Sequence, residues 1–182
     1  MKGIVFNLLD EVVRREYSED TWDLLLESAD VAGSFTSLGS YPDEQMMKLV
    51  AAASAALNMP ANAVLRWFGR RAMPLSAERY PVFFSTPRTT RDFLLTLNDI
   101  IHPEVLKLYP GAHVPVFDFD MSSPDVLRMG YRSERKLCAL AEGFIEGAAD
   151  LYQEAVTITQ EKCLHRGDPK CLFEMRFSVR MA

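Results

Sequence analysis

The chain has 182 residues, 48% hydrophobic and 25% charged, with a formal net charge of -5. That length leaves room for one domain with a substantial core and an enclosed pocket, and the balance excludes a disordered chain. The acidic charge disfavours non-specific binding to nucleic acid or anionic membrane, and no stretch approaches the roughly 20 apolar residues that span a bilayer.

Asp10 and Glu11 interrupt the N-terminal apolar run, so a cytoplasmic location is expected, and in such a chain three cysteines, an odd number, argue for free thiols or a metal site rather than a disulfide framework. From Ile4 to Val13 the residues Ile4, Val5, Leu8, Leu9, Val12 and Val13 recur at helical spacing, which predicts an N-terminal helix with one buried face. Ser18 caps a second helix that starts at Glu19 and runs through Trp22, Leu25 and Leu26. Pro42-Asp43-Glu44 opens a third, which runs to about Leu57 and is stopped by Asn58-Met59-Pro60. Ala61 to Phe68 predicts a short helix ending near Gly69. Pro74, Pro81 and Pro87 punctuate a less regular stretch, after which Thr89-Thr90-Arg91-Asp92 starts a helix toward Ile101.

The pattern then changes. Val116 to Met121 alternates Phe117, Phe119 and Met121 with Asp118 and Asp120, as a half-buried strand does. Val126 to Tyr131 predicts its partner, and a helix is expected from Glu134 to Asp150, directly after Ser133. Ala155 to Thr159 and Leu172 to Val179 are strand-like around the turn-forming Arg166-Gly167-Asp168-Pro169. Helices followed by strands predict an α+β fold in a single domain over residues 1–182: a helical N-terminal half, then an antiparallel sheet with a packed helix.

Tyr131, Ser133 and Arg135 alternate along the predicted strand end, so their side chains would share one face. A phenol, a hydroxyl and a guanidinium aimed together cradle carboxylates, because the guanidinium fork matches a carboxylate through two charge-assisted hydrogen bonds. The alternative is a strand end whose hydroxyls cap the following helix. His102 follows a helical segment, and Pro103 disfavours α geometry there, which places His102 at a helix boundary. A histidine in that position can ligate iron or cap the helix end. A ligand carrying both an iron and two carboxylates is haem. His113, in the loop from Gly111 to Pro115, and His165, in the C-terminal turn, are poorer candidates for the iron.

The opening Met1-Lys2-Gly3-Ile4-Val5-Phe6-Asn7, His102, Pro115, the Tyr131/Ser133/Arg135 triplet and Gly143-Phe144-Ile145-Glu146-Gly147 occur in order and with compatible spacing for one family. Over nearly its whole length the chain resembles the haem nitric oxide/oxygen-binding (H-NOX) domains. The resemblance implies a fold that encloses haem b, iron protoporphyrin IX, with His102 as the sole protein ligand to the iron. Tyr131, Ser133 and Arg135 would hold the propionates, and Pro115 would press on the porphyrin. Members that bind dioxygen stably carry a distal tyrosine at the position that is Leu140 here. Val5, Leu9 and Phe144, the other expected pocket positions, are also apolar, which simple core packing equally satisfies. A sensor of nitric oxide, also binding carbon monoxide but discriminating against dioxygen, is therefore expected; a tyrosine entering from another element, such as Tyr80, would reverse that. Similar stand-alone chains act in trans on a histidine kinase or a cyclic-di-GMP enzyme, which implies signal transduction without catalysis of its own and without nucleic-acid or membrane partners.

Cys138, Cys163, His165 and Cys171 have the count of a closed tetrahedral zinc site, and some members of the family carry a zinc-binding cysteine cluster here. In those sites the histidine precedes the first hairpin cysteine by three residues, where this chain has Gln160. Reduced thiols and a redox-switched disulfide are the alternatives to zinc. Two other functions stay open: a haem oxidoreductase, and a haem-free, zinc-stapled module of the vinyl reductase domain type, whose cysteine-rich C-terminal segment is similar.

Overall fold

Apolar residues spaced by three and four turn one face of α1 (Gly3–Glu16) inward, burying Phe6, Leu9, Val12 and Val13. The Ser18 hydroxyl accepts the Thr21 N–H at 3.1 Å and so starts α2 (Glu19–Ala29) as predicted. Asn58, left-handed at φ 50°, ends α3 (Asp43–Leu57). The computed structural model describes residues 1–180.

The next helix departs from expectation. α4 runs from Ala61 to Arg79, straight through Gly69 and Pro74, instead of ending near Gly69. Tertiary packing overrides the local stop signals: a Cβ on Gly69 would collide with the Leu140 carbonyl, and one on Gly143 with the Arg66 carbonyl. These glycines let α4 and α8 (Cys138–Leu151) approach backbone to backbone. Two bidentate ion pairs, Arg66 with Glu146 and Arg70 with Asp150, run along the same seam.

α5 (Pro81–Phe84) and α6 (Thr90–Leu95) are short, and the expected helix toward Ile101 breaks into α6, a π-helical turn (Leu97–Ile101) and α7 (His102–Leu108). The second half is an antiparallel sheet of β1 (Val116–Asp120), β2 (Leu127–Arg132), β3 (Glu154–Lys162) and β4 (Cys171–Val179), ordered β1-β2-β4-β3. The hairpin of β3 and β4 forms where the turn residues placed it, with Gly167 at φ 89°. The fold is therefore α+β, as the sequence predicts. One core lies among α1 to α4, around Phe6, Trp22, Leu49 and Phe68. A second lies between α8 and the sheet, around Leu127, Ile145, Phe173 and Met175. Phe144 packs against both.

Candidate functional site

Between the two cores lies a cavity of about 720 Å³, walled mainly by apolar side chains from α1, α4, α7, α8 and the sheet. Val5, His102, Pro115, Tyr131, Ser133, Arg135, Leu140 and Phe144 all reach its wall. Leu9 does not: it is buried in the helical core, and its α1 neighbours Ile4 and Leu8 line the cavity with Val5 instead.

His102 stands at a boundary, as expected, between the π-helical turn and α7, but its dihedrals, φ -64° and ψ -41°, are helical, contrary to the geometry expected before a proline. The preceding π-helical turn widens the backbone spiral, relieving the clash that a proline ring makes with the preceding turn. Asn98 on that turn donates to the Phe117 carbonyl of β1 at 2.9 Å, tying the segment to the sheet. The imidazole lies nearly parallel to the Phe117 ring, with centroids 5.4 Å apart. Burial lowers the pKa of His102 to about 4, so at neutral pH the ring is uncharged. Among the described residues no group hydrogen-bonds to it. A neutral, unpartnered imidazole facing a cavity has the chemistry of a metal ligand.

The triplet meets the cavity by a route that strand alternation does not describe. β2 ends at Arg132, and residues 133–137 form a turn, so α8 starts at Cys138 rather than Glu134. Ser133 Oγ accepts the Arg135 N–H at 3.2 Å, and Lys136 adopts φ 51°. The turn, not the pleat, brings Arg135 to the cavity that Tyr131 also lines. Arg135 then donates from Nε to Asp43 Oδ2 at 2.6 Å and from Nη1 to the His113 carbonyl at 2.9 Å. Asp43 also accepts from the Met1 ammonium at 2.6 Å. Burial alone would raise the Asp43 pKa, but these two cations outweigh it and hold the carboxyl below its ordinary range. Tyr131 is buried, which raises its phenol, and stands opposite Phe117 on β1 and Cys171 on β4.

Residues 2–160 match the haem-NO-binding (HNOB) family. The chain belongs to the H-NOX family. An H-NOX protein from Shewanella oneidensis, solved in the Fe(II)NO ligation state, is 28% identical, with 98% of this chain and 99% of that one covered at a TM-score of 0.91. An IWP-051-bound H-NOX from Shewanella woodyi in the Fe(II)CO state is 31% identical, with 100% and 97% covered and a TM-score of 0.83. An oxygen-binding H-NOX domain related to soluble guanylate cyclases shares the fold at 22% identity, with 99% and 96% covered and a TM-score of 0.83. H-NOX domains are haem-based gas sensors, and this chain offers what such a group needs: a cavity of about 720 Å³ that bears a neutral imidazole and, near its rim, a guanidinium.

Three polar contributors to this H-NOX cavity escaped the sequence reading. Asp43 looked like an ordinary acid in the first turn of a helix, with no local sign of Arg135. Tyr109, at the end of α7, lines the cavity, and its hydroxyl bonds to that of Tyr80. Burial and this bond raise the Tyr109 phenol to about 12. Ser76 also lines the cavity, but donates to the Ala72 carbonyl at 2.9 Å.

The expected four-ligand zinc set is not assembled. Cys138, Cys163 and Cys171 converge, all buried, with sulfurs within 4.8 Å of one another. His165 is exposed, and its Nε2 lies 2.7 Å from the Lys136 carbonyl, because the 3-10 turn at Leu164–Arg166 carries the ring away from the thiols. The residues present do not fit a closed tetrahedral zinc site.

Among the described residues no helix is long and apolar enough to cross a membrane.

Proposed function

We propose that this protein is a haem b sensor of nitric oxide that discriminates against dioxygen and regulates a partner signalling protein in trans, of the histidine kinase or cyclic-di-GMP enzyme class. The observation that carries the proposal is a single cavity holding an uncharged His102 without a hydrogen-bond partner together with the apolar Val5, Leu140 and Phe144. Haem supplies an iron that takes a diatomic gas. His102 would hold that iron, and Tyr131, Ser133 and Arg135 would hold the propionates. Arg135 is oriented in advance by Asp43 and the His113 carbonyl, which lowers the entropy cost of gripping an acid. Pro115 would set the shape of the wall.

A donor on the cavity wall would favour dioxygen, which takes up negative charge when bound, whereas nitric oxide and carbon monoxide would need none. Tyr80 and Tyr109 also reach the cavity wall, where their hydroxyls bond to each other, so the selectivity rests on neither turning its free proton toward the gas. Signalling requires two protein states whose balance the ligand changes. Loosening of His102 would leave the π-helical turn and α7 held by the Asn98 bond to β1, the packing of Leu97 and Ile101 on the second core and the Tyr109–Tyr80 bond, the contacts that a second state would rearrange.

An oxidoreductase would call for acid-base groups near the bound gas, and the apolar residues named above supply none. The test is one set of visible spectra on the purified ferrous protein. An intense Soret band that shifts with nitric oxide and with carbon monoxide, and keeps its unligated form on brief exposure to air, is expected. Loss of colour in His102→Ala, restored by added imidazole, assigns the ligand. Colour unchanged in that variant without imidazole overturns the assignment, and a stable oxygen adduct overturns the selectivity.

A further inference from the structure

Away from the cavity, the first residue of α8, the first residue of β4 and the residue after β3 bring Cys138, Cys171 and Cys163 together. Each is at most 7% exposed, and none is in a disulfide; the Cys138 and Cys163 sulfurs lie 4.0 Å apart. The Leu164 N–H donates to Cys171 Sγ at 3.3 Å, which fixes one sulfur's direction. Beside Cys138 lies the Gln160 amide, whose Nε2 is buried and has no hydrogen-bond partner. Nearby Asp168 spends its carboxylate on the Cys163 N–H at 2.7 Å. Among the described residues the cluster thus has three convergent soft donors, no fourth, and a buried amide beside it.

We infer that Cys138, Cys163 and Cys171 form a binding site for a trivalent thiophilic oxyacid of the arsenite class, held by three sulfur bonds. Charge and coordination number both select it. Thiolates favour soft ions, which leaves copper(I), zinc and trivalent arsenic as the chemistries to weigh. Copper(I) on three thiolates carries a net charge of minus two, and zinc carries minus one with a coordination position unfilled. Among the described residues no cation bonds to a cluster sulfur, and the Arg166 guanidinium is paired with Asp168 at 4.0 Å, so either charge would be buried without a direct counter-charge, which is costly. Trivalent arsenic on three thiolates is neutral, and its lone pair fills the fourth direction, so no further ligand is needed. The reaction balances without an oxidant: three arsenic–oxygen bonds break, three arsenic–sulfur bonds form, and each thiol proton leaves with a hydroxide as water. Arsenic stays trivalent throughout.

The test uses the full-length reduced protein, freed of metal by a chelator, dialysed against arsenite and against zinc separately. One arsenic per chain, with a sulfur–arsenic absorption in the near ultraviolet, is expected. Zinc should be removable by the chelator. Cys163→Ser and Cys171→Ser should each bind arsenite at least about tenfold more weakly; if one fails to fold, the other carries the comparison. Gln160→His adds a fourth donor and should retain zinc against the same chelator. Absence of bound arsenic, binding unchanged in both serine variants, or zinc held stoichiometrically by the native chain against chelator would each overturn the inference. None of these readouts depends on haem or gas binding.

Discussion

Arg135 Nε donates to Asp43 Oδ2 at 2.6 Å, joining the turn after β2 to the first turn of α3 across 92 positions of the chain. The guanidinium that would grip a propionate is therefore held in place by an internal carboxylate. Ser133, by contrast, spends its hydroxyl on the Arg135 N–H two residues away.

Haem retention should follow that difference. A hydrogen bond to a charged group contributes about 1.5–3 kcal/mol, against about 1 kcal/mol for a neutral one. Arg135→Ala should lower the haem content of the purified protein more than Ser133→Ala, read from the ratio of Soret to protein absorbance. Equal ratios would remove Arg135 from its assigned role.

Acid should loosen the same corner. Asp43 has a folded pKa below its ordinary 3.8, so its contribution to stability is present above that value and is lost as pH falls through the lower folded one. The carboxylate is 41% exposed, so solvent screening keeps its pair with Arg135 to about 1 kcal/mol or less. The haem-free native chain should exceed Asp43→Asn in urea midpoint near neutrality, and the gap should close below about pH 4. A gap that widens in acid would contradict the sign.

Gas selectivity should be reversible at one position. Leu140→Tyr places a hydroxyl at the cavity wall, and a hydrogen bond to a partly charged ligand is worth about one to two decades of affinity. The ferrous variant should acquire a measurable oxygen adduct in air. An unchanged spectrum would mean that position 140 does not face the bound gas.

The seam between α4 and α8 should tolerate no extra methyl. Gly143→Ala gains up to about 1 kcal/mol of helix propensity, but overpacking against the Arg66 carbonyl costs about 1–3 kcal/mol, and backbone cannot swing aside. A net fall in thermal midpoint is expected. Stabilisation would show that the two helices can part without cost.

How legible each element was depended on whether its cause was local. The capped and amphipathic helices α1 to α3 and the hairpin around Gly167 follow from residues close in sequence, and the sequence reading located them. α4 runs past its local stop signals because Gly69 is there for α8, far downstream in the chain, and Gly143 answers it from that side. Arg135 lines the cavity beside which the sequence reading set it, but it gets there by a turn rather than by strand alternation, since nothing in the identity of Lys136 announces a left-handed residue. Asp43 and Tyr109 were unreadable for a related reason: each acquires its role from a partner in another element, Arg135 and Tyr80 respectively.

The two sides of the cavity differ in how firmly they are built. α4 and α8 bury seven residues each and meet backbone to backbone at Gly69 and Gly143, whereas the π-helical turn and α7 bury none. One side is a door frame and the other a door. A push that begins at His102 meets less resistance outward, through α7 and the loop to Pro115, than against the frame, so that outer segment is the part of the wall freest to carry motion away from the cavity.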